Sequence, residues 1–215
     1  MIELLNMDCM EYMKTCKDNQ FDLAIVDPPY GIMESKSNES RNRVASNNYK
    51  DKEWDIKAPD CGYFDELKRI SKNQIIWGAN HFIDNLQFMC NSPCWIVWDK
   101  DNGACDFADC ELAYTSFKTA VRKFKFQWAG MLQGDMKNKE QRIHPTQKPI
   151  KLYQWLLDNY SEPKQRILDT HLGSGSSAIA AHYFGCDFVG IEKDEDYFRA
   201  AQERFNNETR QQAMF

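Results

Sequence analysis

Arg166-Ile167-Leu168-Asp169-Thr170-His171-Leu172-Gly173-Ser174-Gly175-Ser176-Ser177-Ala178 passes from a short apolar run through a carboxylate and a two-glycine turn into a stretch of helical character. Glycines let a ligand lie close against the backbone, and a helix start supplies free N–H groups aimed at it. A second apolar run over 188–192 ends in Glu192, where an acceptor for ribose hydroxyls belongs in a nucleotide site. The pattern Gly173-x-Gly175-x-x-Ala178 satisfies a loosened nicotinamide fingerprint as well as it does an adenosine-sulfonium site. A purely structural tight turn would read the same way, so other residues must separate these alternatives.

Working outward, a helix is expected over 149–157, strands over 166–169 and 188–192, and helices over 176–184 and 194–205. At the other end, apolar runs over 2–5 and 23–26 flank an amphipathic stretch over 9–16, which reads as strand, helix, strand. The run over 23–26 lacks alternation, as befits a central parallel strand buried on both faces. A helix over 63–70, a strand over 74–77 and a short helix over 79–88 follow. The aromatic middle (95–98, 112–117 and 121–128) reads as antiparallel strands. Strands and helices alternating at both ends predict an α/β fold, a mixed, mostly parallel sheet with helices on both faces, in a single domain over 1–215.

The chain has 215 residues, of which 42% are hydrophobic and 27% charged, enough apolar surface for a continuous core. No stretch approaches the ~18–20 apolar residues of a membrane span, so no membrane partner is expected. The first residues lack the marks of a signal peptide, and a cytoplasmic location is expected. Eight cysteines invite a zinc reading, but Cys90-x3-Cys94 and Cys105-x4-Cys110 are looser than paired Cys-x2-Cys knuckles. They are read as small buried hydrophobes, with no metal. The net charge of −5 hides a polarity: residues 115–150 hold eight cations against two anions, while the first thirty hold six anions against two cations.

The run over 23–26 stops at Asp27-Pro28-Pro29-Tyr30, because two prolines can neither join a ladder nor continue a helix. A carboxylate and the carbonyl of the Pro28 unit can both accept from one planar exocyclic amine, and Tyr30 offers a π face for a base. An aromatic amine is a poor nucleophile because its lone pair is delocalised into the ring. Two acceptors can favour a pyramidal nitrogen and aim that lone pair, so the gain is positional and electrostatic.

With His144-Pro145-Thr146-Gln147-Lys148-Pro149 between them, the Asp27 tetrapeptide and the Asp169 to Ser177 turn resemble the amino-methyltransferases of DNA, which act on adenine N6 or cytosine N4. The order, catalytic motif first and cofactor glycines last, resembles their circularly permuted beta class. The resemblance implies a Rossmann-like methyltransferase fold with S-adenosylmethionine as cofactor. It implies that Asp27, Pro28, Pro29 and Tyr30 are catalytic and that Asp169, Gly173, Ser174 and Gly175 line the methionine part. Glu192 would then accept from the ribose and Asp8 lie near the adenine. His144, Thr146 and Lys148 match the segment that approaches the methionine carboxylate. Where the family commonly has Pro-Phe, this chain has Thr170-His171, so an apolar shelf becomes an imidazole, and Met7 stands where a glycine is frequent.

The resemblance further implies DNA as partner and, since Ser more often replaces Asp27 in cytosine-N4 members, N6 of adenine as target. The base must be flipped out of the duplex to be reached. A chain of this length has no room for a separate recognition domain, so DNA contacts are expected from the core itself, over 31–60 and 115–145. Lys36, Arg41, Arg43, Arg122, Lys123 and Lys125 are the candidates, and homodimerisation would let a small enzyme cover more DNA. The rivals are a cytosine-N4 enzyme, an RNA or protein amine methyltransferase, a nicotinamide oxidoreductase and a non-catalytic DNA-binding module.

Overall fold

The computed structural model describes residues 1–32, 57–86, 91–103, 108–129 and 132–210. The first half comprises β1 (Ile2–Asn6), α1 (Cys9–Thr15), β2 (Phe21–Val26), α2 (Cys61–Ile70), β3 (Ser71–Trp77) and 3₁₀ turns at Ala79–His81 and Ile83–Leu86. Next come β4 (Trp95–Asp99), β5 (Cys110–Thr115), β6 (Arg122–Lys125) and the short pair β7 (Trp128–Ala129) and β8 (Leu132–Gln133). The chain closes with α3 (Ile150–Tyr160), β9 (Arg166–Asp169), α4 (Ser176–Phe184), β10 (Asp187–Glu192) and α5 (Glu195–Arg210).

One sheet runs in the order β1-β10-β9-β2-β3-β5-β4-β6. Its middle is β2, buried on both faces as the unbroken apolar run requires. Successive side chains alternate, so Leu23 and Ile25 pack with Leu152, Leu156, Ala178 and Ala181 of α3 and α4. Ala24 and Val26 pack on the other side with Met13 of α1 and with Phe64 and Leu67 of α2. The crossover from β9 to β10 through α4 thus covers one face, and the crossover from β2 to β3 through α2 the other. Neighbouring strands β9 and β2 feed connections that diverge, which opens a crevice at their carboxyl ends, where ligands bind in sheets of this type.

The aromatic middle is antiparallel only in part: β4 and β5 pair as expected, and β6 does not. Only β5 is reversed: it pairs antiparallel with β3 and β4, whereas β6 runs parallel to β4. From the end of β5 the link 116–121 passes β4 without changing ends of the sheet, so β6 must run back in the direction of β4. The expected strand over 121–128 breaks after Lys125. There the N–H groups of Phe126 and Trp128 follow the carbonyls of Asp99 and Lys100 past the sheet and into β7. Over residues 79–86 the helix expected at 79–88 is instead the two 3₁₀ turns, and 87 and 88 lie outside the described residues. Nor are all cysteines buried: Cys16, Cys94 and Cys186 are, but Cys61 and Cys110 are exposed. Cys90 and Cys105 lie outside the described residues.

Candidate active site

Asp169 ends β9 and Asp27 follows β2, so the two carboxylates stand at adjacent strand ends over the crevice. Asp169 is 1% exposed and accepts from Ser177 Oγ (2.6 Å) and His171 N–H (3.0 Å). Burial pushes its carboxyl up to about 7 against those hydrogen bonds, with the Asp27 and Glu192 carboxylates adding to the rise. No cation among the described residues pairs with it. A buried acid without a counter-ion, beside a turn in which Gly173 and Gly175 have φ of +52° and +76°, fits a ligand that brings its own ammonium close to the backbone.

The other residues expected around a cofactor surround this turn. Glu192 accepts from the N–H groups of Gly173 and Asp194, both at 2.9 Å, which fixes the end of β10 against the turn. Asp8 caps α1 through Met10 N–H at 2.8 Å and pairs with Lys193 at 2.9 Å. His144 packs on Tyr197 with ring centroids 4.3 Å apart, its Nδ1 lies 3.2 Å from Thr146 Oγ1, and its ring borders Gly173. Ser174 Oγ lies 3.1 Å from Ser176 Oγ. In the Thr170-His171 departure, Thr170 Oγ1 sits 2.6 Å from Tyr63 Oη and 2.9 Å from His171 Nδ1. Burial takes His171 down to about 4, so this wall is a neutral, hydrogen-bonded imidazole at pH 7.

Asp27 is held differently. Tyr30 Oη donates to Asp27 Oδ1 at 2.8 Å, and Lys148 Nζ donates to Asp27 Oδ2 at 2.6 Å and to Tyr30 Oη at 3.1 Å. Burial keeps the Tyr30 phenol neutral and therefore a donor. Its ring stacks on His81 at 5.0 Å and lies against Gly78, whose missing side chain makes the room: a Cβ there would stand 2.1 Å from Tyr30 Cε1. Lys148 is therefore bound to the Asp27 carboxylate, and its side chain is 3% exposed. A second carboxylate, Glu111 of β5, lies 3.0 Å from the same ammonium and 2.6 Å from Lys100.

Of the expected DNA contacts, Lys36, Arg41 and Arg43 lie outside the described residues. Lys123 and Lys125 are on the edge strand β6 and pair with Asp99 (3.2 Å) and Asp101 (2.9 Å) near the same end of the sheet as the site. Arg122 begins β6 at the far end, within electrostatic reach of Tyr160 in the last turn of α3, and is not brought to the site.

Sequence reasoning missed Gly78, Lys100, Glu111 and a buried brace between Arg204 and Glu140. Arg204 donates to Ser174 O and Ser176 Oγ, both at 2.9 Å, and to Glu140 Oε2 at 2.7 Å, while Glu140 Oε1 accepts from Ile150 N–H. The brace ties the glycine turn to the segment leading into His144. A signal for Glu111 existed, an acid directly heading the apolar run Leu112-Ala113-Tyr114, but nothing local says what it faces.

Known proteins resemble this chain in sequence and fold. Type II methyltransferase M.HinfI of Haemophilus influenzae is 26% identical over 94% of this chain and 67% of its own. Type II methyltransferase M2.MboI of Moraxella bovis is 24% identical over 94% of this chain and 86% of its own. The crystal structure of an M1.HpyAVI–SAM complex superposes with a TM-score of 0.60 at 22% identity, covering 95% of this chain and 100% of that one. The cytosine-N4-specific PvuII DNA methyltransferase does so with a TM-score of 0.62 at 10% identity, covering 97% and 91%. The DNA methylase family model, which spans adenine-N6 and cytosine-N4 enzymes, matches residues 63–203, and the chain belongs to that S-adenosylmethionine-dependent family.

Proposed function

We propose that this protein transfers a methyl group from S-adenosylmethionine to the exocyclic N6 of adenine in DNA. The observation that carries the reading is the pair of buried carboxylates at adjacent strand ends, one beside a glycine turn with no cation paired to it among the described residues, the other oriented by Tyr30 and Lys148. Asp169 would hold the amino group of the methionine part, Gly173 and Gly175 its close backbone contact, and Glu192 the ribose hydroxyls. When bound, S-adenosylmethionine supplies an electrophilic methyl on sulfonium sulfur.

Each oxygen of Asp27 already accepts one hydrogen bond and retains a lone pair for an amine N–H. Drawing on that N–H would lend electron density to the nitrogen for attack on the methyl that the cofactor would supply, and Asp27, or water beside it, would take up the surplus amine proton. His81 fixes one side of Tyr30, so the base would stack on what remains of the ring. DNA would be tracked by the 115–145 segment, with Lys123 and Lys125 on phosphates, and by the 31–60 segment with Lys36, Arg41 and Arg43.

Single-molecule sequencing of DNA from a methylation-deficient host expressing the wild type, beside one expressing Asp27→Ala, tests the reading. N6-methyladenine in the first sample only is the expected result. N4-methylcytosine would overturn the choice of base, and no DNA mark from folded protein would overturn DNA as substrate.

A further inference from the structure

Four buried or half-buried charges of alternating sign run in line behind the tetrapeptide: Lys100, Glu111, Lys148 and Asp27. The contacts are 2.6 Å from Lys100 to Glu111 Oε1, 3.0 Å from Glu111 Oε2 to Lys148 and 2.6 Å from Lys148 to Asp27 Oδ2. The reversal of β5 creates this line. Glu111 pairs in register with Trp98 near the end of β4, and Ala113 with Trp77 at the end of β3. A strand running with its neighbours would carry its first residues to the opposite end of the sheet. Being reversed, β5 delivers Glu111 to the end where Asp27 stands.

Taken alone, a buried lysine 2.6 Å from a carboxylate would claim it outright, leaving a weak acceptor for any incoming amine. Glu111 supplies the competing pull. We propose that Glu111 is a positioning residue for methyl transfer: it shares the Lys148 ammonium with Asp27, so that Asp27 stays oriented yet free to accept from the exocyclic amine, while Lys100 on the other side of Glu111 tempers that pull. The proposal rests on the methyltransferase reading above and extends it to two residues outside the motifs.

Electrostatics agree with this arrangement. Burial would push Glu111 up, but Lys148 and Lys100 on either side bring it down to about 2, so it stays ionised. Burial works against the charge of Lys148, and the two carboxylates more than restore it. Burial pushes Asp27 up, Lys148 opposes the rise and Glu111 adds to it. Among the described residues, Tyr30, Tyr63, Tyr153 and Asp169 also face Asp27, and His81 stacks on the Tyr30 ring; the cofactor's ammonium would keep Asp169 ionised.

The test uses the full chain, S-adenosylmethionine labelled on its methyl and held at saturation, and genomic DNA from a methylation-deficient host. Under saturation the acid limb of the kcat profile reports Asp27 in the loaded enzyme. Glu111→Gln keeps the shape and removes the charge. It is expected to lower kcat about 10- to 100-fold with KM for the cofactor within about threefold, and to move the acid limb to lower pH, because Asp27 loses an anionic neighbour. Lys100→Gln strengthens the pull of Glu111 and is expected to move the same limb to higher pH. Glu111→Asp, which keeps the charge, should recover most of the activity.

Opposite displacements by the two variants support the proposal, since a merely structural role would move neither limb or both alike. A Glu111→Gln enzyme with wild-type kcat and limb overturns it while wild-type methylation of the DNA leaves the parent reading standing. Wild-type protein that methylates no DNA overturns the parent reading and the proposal with it.

Discussion

The glycine turn after β9 and the charged line behind β2 occupy adjacent strand ends, yet they are assembled in opposite ways. The turn is contiguous: Asp169, His171, Gly173 and Ser177 bond one another or the end of the next strand, largely through backbone N–H groups. The line draws Asp27 and Tyr30 from the end of β2, Lys100 from the end of β4, Glu111 from β5 and Lys148 from the entry to α3. A contiguous site is set by conformation and tolerates distant change. A composite site is set by charge balance and fails when any one segment shifts.

The brace is where this contrast could break most visibly, because it ties the turn to a distant segment through a buried ion pair. Arg204 is 7% exposed and Glu140 beside it 12%. Arg204→Ala leaves Glu140 buried without its partner and Ser174 O without its donor, and should cost about 3–5 kcal/mol in a urea denaturation series. A cost below about 1 kcal/mol would show that water replaces the guanidinium readily and that the turn holds itself.

Gly78 sharpens the composite side. Its φ of +67° already favours glycine, and an added Cβ would meet the Tyr30 ring at 2.1 Å. Gly78→Ala should destabilise the fold by about 1–3 kcal/mol and, by tilting Tyr30 off Asp27, lower kcat more than it raises KM for S-adenosylmethionine. Equal effects on both parameters would place the damage in the cofactor half.

On the contiguous side the expected handle is pH. The carboxyl of Asp169 sits at about 7, so protonation removes its charge below that value and restores it above. Affinity for S-adenosylmethionine, measured by calorimetry, should therefore rise about tenfold from pH 6 to pH 8, as the ionised fraction goes from about one tenth to nine tenths. Asp169→Asn should bind weakly and without that slope. The raised value also means that the cofactor-free fold loses stability as pH climbs through 7, since the unfolded chain holds this group ionised at a lower pH.

How legible each half was in the sequence follows from the same contrast. The strand, turn and helix from Arg166 to Phe184 were readable because apolar runs, glycines and a helix start are local signals, and Glu192 comes at the end of the very next strand. Asp27-Pro28-Pro29-Tyr30 was readable as a terminated strand bearing an acceptor and a ring. Lys148, in contrast, was expected at the methionine carboxylate and is found on Asp27 and Glu111, a pairing with Asp27 across more than a hundred residues that no periodicity encodes. Glu111 was out of reach because its placement depends on β5 being reversed, and short aromatic strands carry no mark of direction. The antiparallel expectation is met by β4 and β5 and fails at β6 for that reason.

The edge strand gives the smallest effect and the cleanest division between fold and function. Lys123 and Lys125 are more than half exposed, and their pairs with Asp99 and Asp101 reach into solvent, where such pairs add little to stability. Replacing both by Ala should leave the melting temperature unchanged. If these lysines turn to phosphates when DNA arrives, the double variant should bind DNA more weakly at every sequence. Its log-affinity against log-salt slope should be shallower by about 1 for each phosphate that is no longer neutralised. An unchanged slope would mean that Asp99 and Asp101 keep their lysines in the complex. Phosphate binding would then fall to cations elsewhere in the 115–145 segment or to Lys36, Arg41 and Arg43.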